Sequence, residues 1–102
     1  MLSTAPSAEI ADRIATTLVE ERLAACVNVL DGLTSVYRWE GQVERDAEVL
    51  MLLKTTTEAL ERLRLRLVEL HPYAVPEVLA LEVSNGHLPY LEWVRSEVGG
   101  DG

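Results

Sequence analysis

Phenylalanine is absent, and the other aromatics amount to two tryptophans and three tyrosines in 102 residues. The core must therefore be aliphatic, and a tyrosine or tryptophan outside it points to an interface or a pocket wall. A single cysteine, Cys26, excludes an intrachain disulfide and zinc sites built on paired cysteines. That fits a reducing compartment, and the expected location is the cytoplasm. Basic residues are also scarce. Nine Lys and Arg against seventeen Asp and Glu leave a formal charge of −8, which excludes a general nucleic-acid or anionic-membrane binder but does not repel a cation. No run approaches the length of about twenty apolar residues that spans a bilayer, and "MLSTAPSAEIADR" lacks the pattern of a signal peptide. There is no Gly-rich phosphate loop, nucleophile elbow or HExxH helix, so neither a catalytic constellation nor an organic cofactor is expected.

What is present reads as one folded domain over residues 1–98, followed by a loose "GGDG" tail at 99–102. Leu2 to Thr4 suits a short strand. Pro6-Ser7 then supplies a stop and a helix cap, and Ile10, Ile14 and Leu18 recur at helical spacing with Ala11, Ala15 and Val19 beside them. From Ala24 to Trp39 β-branched and aromatic residues dominate, interrupted by Asp31-Gly32, which reads as a bulge in one long strand. A better reversal follows at Glu40-Gly41-Gln42, and a second long strand runs from Val43 to about Thr55. Thr55 and Glu58 have capping-box spacing ahead of a helix marked by Leu60, Leu63, Leu67 and Leu70. Pro72 ends that helix, "EVLALEV" at 77–83 alternates as a strand, and Pro89 to Val98 forms a last helix.

The order strand, helix, strand, strand, helix, strand is the ferredoxin-like split βαβ pattern, an α+β fold with a four-stranded antiparallel sheet and two helices on one face. The run Val49-Leu50-Met51-Leu52-Leu53 is apolar on both faces of its strand, and helices cover only one. Something must cover the other, and a bare apolar face beside a long hairpin predicts an oligomer.

The runs "EERLAACVNVLDGLTSVYRWEGQVERDAEVLMLLKTT" and "LHPYAVPEVLALEVSNGHLPYLEWV", with "STAPS" near the start, resemble the CutA divalent-cation-tolerance family over nearly the whole chain. That resemblance implies a fold like the PII signalling proteins, a homotrimer with clefts between neighbours, copper tolerance and divalent metal binding, and no established reaction. It also implies a clipped first strand, because members of the family usually carry more apolar residues ahead of the "STAPS" run. Ser3 stands where some of them have a cysteine.

Two residues are candidate metal ligands. Cys26 as a thiolate suits Cu(I), against the alternative of a small buried hydrophobe in a strand. His71 can join it, or can simply cap the end of a helix. Tyr37, Trp39, Tyr73 and Tyr90 are assigned to an intersubunit cleft, with Lys54 as its cation and Glu77 as its carboxylate. Trp93 belongs either to that cleft or to the core face of the last helix. His87 and the acidic hairpin residues Glu40, Glu44, Asp46 and Glu48 read as solvated. The functional expectation is a trimeric copper-binding protein of the response to metal ions. A PII-like adaptor that binds a small molecule and a small enzyme working in the cleft are its alternatives.

Overall fold

A computed structural model describes residues 1–99; the expected loose tail beyond Gly99 lies outside them. The chain forms β1 (Leu2–Ala5), α1 (Ala8–Glu20), β2 (Cys26–Trp39), β3 (Gln42–Lys54), α2 (Leu60–Leu70) and α3 (Leu88–Glu97). The three strands pair antiparallel in the order β1-β3-β2.

Helix α1 begins where its cap predicts. Ser7 is extended, and its hydroxyl accepts the Ile10 N–H at 3.2 Å, satisfying one of the unpaired donors of the first turn. The capping box expected at Thr55 and Glu58 does not form. The Thr55 hydroxyl instead donates to the Leu23 carbonyl at 2.8 Å, tying the end of β3 to the loop after α1, and Thr56 accepts from the Ala59 N–H. Thr55 leaves a strand, so its side chain is spent on a tertiary bond, and α2 starts later without a side-chain cap.

Strands β2 and β3 are fourteen and thirteen residues long, and their register breaks between Leu30 and Leu33, where Gly32 takes φ 83°. The bulge expected at Asp31-Gly32 is therefore real, and it lets the two strands run past the body of the fold. They reverse over two residues, Glu40 (φ 50°) and Gly41 (φ 80°), both left-handed as in a type I′ turn.

Alternation splits β3 cleanly. Val49, Met51 and Leu53 are buried under the helices with Ala11, Ile14 and Leu18 of α1 and Leu63 and Leu67 of α2. Leu50 and Leu52 point the other way, beside Leu2 and Thr4 of β1 and Cys26, Asn28 and Leu30 of β2. Among the described residues that second face has no helix in its buried core, and Leu50 and Leu52 are left half-buried. A small satellite core of Ala25, Ala59, Val94 and Val98 seats α3.

The fourth strand expected at residues 77–83 is reduced to one bridge. Leu2 and Leu79 exchange backbone hydrogen bonds at 2.7 and 3.0 Å. Pairing stops on one side where the Thr4 carbonyl is occupied by His71, and on the other it does not extend to Leu81 and Val83. Those two side chains are left 65% and 70% exposed.

Candidate functional site

His71 closes α2 and is buried, 7% exposed, between β1 and the connector that follows. Both ring nitrogens are used. Nε2 lies 2.7 Å from the Thr4 carbonyl oxygen, and Nδ1 accepts the Tyr73 N–H at 3.1 Å, which makes the ring neutral with its proton on Nε2. The Tyr73 ring leans on the imidazole, with centroids 4.7 Å apart. His71 thus fastens the connector to the edge of the sheet, and the Pro72 that follows it ends the helix by removing a backbone donor.

Tyr73 reaches further. Its hydroxyl donates to Glu48 at 2.6 Å, while Tyr37 donates to Asp46, two positions along the same face of β3. Two phenol–carboxylate pairs therefore stand side by side at the base of the hairpin. The bond to Asp46 pushes the Tyr37 phenol up to about 12, with Glu44 and Glu48 adding to it. The Tyr73 phenol is also raised, first by burial and then by its bond to Glu48. Asp46 is exposed, as a solvated edge charge should be, whereas Glu48 is half-buried beside Tyr73. Counting back from the turn at Glu40-Gly41 pairs Tyr37 with Glu44, so period-two alternation alone was enough to place the phenol among these acids.

A second polar group sits at the opposite end of the open face. Lys54 donates to Asn28, and its Nζ lies 3.8 Å from the half-buried Cys26 sulfur. The α-amino group of Met1 donates to the Leu53 carbonyl at 2.8 Å, and its pKa is lowered by burial and then by the nearby Lys54 charge. Asn28 was not expected here.

One chain does not bring all the expected residues together. Cys26 pairs with Lys54, and the Thr4 that holds His71 pairs with Leu50. Four residues of strand and two strand spacings then separate Cys26 from the His71 anchor, on the order of 16 Å. Tyr37, opposite Glu44, stands roughly 30 Å along β3 from Lys54. Trp39 is at the hairpin tip and half exposed, and Glu77 is exposed on the connector. Tyr90 and Trp93 form a ring pair, with centroids 5.6 Å apart, on the outer side of α3, where Val94 takes the core position instead of Trp93. Among the described residues no three His, Cys, Asp or Glu side chains converge as a metal site. A copper ion therefore does not fit a site made by Cys26 and His71 of one protomer.

The whole chain up to residue 97 matches the model of the CutA1 divalent ion tolerance protein family. This chain belongs to that family. It is 54% identical over 99 residues to the divalent-cation tolerance protein CutA of Thermus thermophilus, covering 97% of this chain and 96% of that one. Against human protein CutA the identity is 48%, over 90% of this chain and only 51% of the longer human one. The solved Thermus thermophilus divalent cation tolerance protein superposes with a TM-score of 0.93 at 55% identity, covering 96% and 95% of the two chains. A Nostoc structure titled as a PII-like protein CutA in apo form gives 0.90 at 41% identity, covering 96% and 94%. The α+β fold is thereby shown, and one of its neighbours is named PII-like. The family is one of divalent-cation tolerance and not a recognised enzyme family.

Proposed function

We propose that this chain is one subunit of a homotrimer that takes part in tolerance of divalent cations, and that it binds copper where subunits meet. The observation that carries this is the open face of the sheet. Leu30 lies on it 45% exposed, with Leu50, Leu52 and, at its end, Cys26 half-buried beside it. A face of this kind calls for a partner, and the partner's donors complete a coordination that one chain leaves at a single soft ligand. The Thermus thermophilus relative, named for divalent-cation tolerance, supports the cation. A thiolate at Cys26 favours Cu(I), and its persistence as a free thiol suits the cytoplasm. His71 joins such a site only by giving up the Thr4 carbonyl or the Tyr73 N–H. The role proposed is binding rather than catalysis.

Native mass spectrometry with Cu(I), Cu(II) and Zn(II) titrated into the assembled protein tests this reading. Uptake of a fixed number of copper ions per trimer, lost in Cys26→Ser, is the expected result. Loose uptake that ignores both the ion and the substitution would overturn the metal site and leave the trimer standing.

A second reading has an observation of its own. The two phenol–carboxylate pairs and the Lys54 group occupy opposite ends of one open face, so neighbouring subunits have two unlike polar walls to offer a cleft. That arrangement suits a small organic ligand in a PII-like adaptor. Thermal shifts with a panel of small metabolites, compared between the native chain and Tyr37→Phe, distinguish it from metal binding.

A further inference from the structure

The chain contains only two asparagines, Asn28 and Asn85, and the structure places them in opposite circumstances. Asn28 lies inside β2, paired with Leu52, with its side-chain oxygen held by Lys54 and the β-branched Val29 following it. Asn85 lies in the irregular segment between Leu79 and Leu88, is exposed, and is followed by Gly86. Among the described residues neither the Asn85 side chain nor the Gly86 amide makes a hydrogen bond.

Gly86 is not there for a left-handed turn. A Cβ at this position would sit 3.1 Å from a methyl carbon of Leu91, so the backbone of residue 86 lies directly against the first turn of α3. A side chain here would press on Leu91, and the glycine leaves its own amide nitrogen, the one that follows Asn85, without a side chain to shield it.

We propose that Asn85 is a site of spontaneous deamidation, with water as the co-reactant. The Gly86 backbone nitrogen, giving its proton to hydroxide, attacks the side-chain carbonyl carbon of Asn85. A carbon–nitrogen bond forms, the bond to the side-chain nitrogen breaks, and ammonia leaves with a proton from water. The resulting five-membered succinimide is opened by water at either carbonyl, giving Asp or isoaspartate at position 85. No electron changes hands. Either product adds one negative charge to the formal −8, three residues ahead of α3. Near the positive end of that helix a new carboxylate is tolerated, so the folded protein survives the change. Isoaspartate also inserts a backbone carbon beside Leu91 and moves residue 86 off its seat.

The assembled protein, aged at mildly alkaline pH, is digested and mapped by mass spectrometry, with an isoaspartyl methyltransferase to separate the two products. Conversion at Asn85 should exceed that at Asn28 by more than about tenfold, because Asn28 cyclises only when β2 opens. Isoaspartate should appear with Asp, and isoelectric focusing should show one acidic step that Asn85→Gln abolishes. A rate at Asn85 no greater than at Asn28, or Asp without isoaspartate, would overturn the proposal.

Discussion

At the residue scale, His71 shows how one side chain is claimed by structure before chemistry. Its ring bonds the backbone of β1 on one side and its own connector on the other, and the side chain is buried. His71→Gln preserves at most one of these bonds and should cost about 2 to 3 kcal/mol in a urea melt, the penalty of leaving a buried partner unsatisfied. Tyr37 and Tyr73 set a pH dependence. Their phenols ionise later in the fold than the ordinary value of 10.0, so the fold favours the neutral forms. That stability is complete below about pH 10 and is lost as pH rises through the folded values, near 12 for Tyr37. Tyr73→Phe should make stability fall less steeply across this alkaline range, measured by denaturant melts at successive pH values.

At the scale of elements, the hairpin depends on two residues with positive φ. Gly41 holds 80° at no steric cost, whereas Glu40 holds 50° with a side chain attached. Gly41→Ala should destabilise by about 1 kcal/mol through the left-handed penalty, and Glu40→Asn should recover a few tenths, both read from thermal melts. Strand β2 buries no residue fully and was legible from its β-branched and aromatic composition. Periodicity made α1, α2 and the second half of β3 legible because each buries one face, and burial is what writes period into a sequence. It overstated the fourth strand for the same reason. Leu79, Leu81 and Val83 alternate as though half-buried, yet within this chain they are exposed, since alternation records that a face is covered without recording by what.

At the scale of the molecule, the shape carries the argument for assembly. The radius of gyration is 14.3 Å, against about 13 Å for a compact chain of this length, and the longest extent is 46 Å. The accessible surface is 6741 Å², where a monomer of this mass exposes about 5,700 Å². An excess on the order of a thousand Å² per chain matches what a stable interface removes from each partner. Assembly should therefore make the melting temperature rise with protein concentration, and Leu52→Asp, on the open face, should yield smaller species by light scattering. Unchanged mass in Leu52→Asp would mean that this face is not the interface.

The sequence by itself determined the helix faces, the alternation of β3, the bulge at Asp31-Gly32 and the turn at Glu40-Gly41. Each of these is a local rule of spacing or backbone freedom, and local rules are written residue by residue. Only the tertiary structure decided that Cys26 and His71 lie apart, that Tyr73 reaches Glu48, and that Thr55 serves Leu23 instead of α2. Those outcomes depend on which strand lies beside which, and by how many residues each is displaced. Such distances are summed over the whole fold, so no short stretch of sequence contains them.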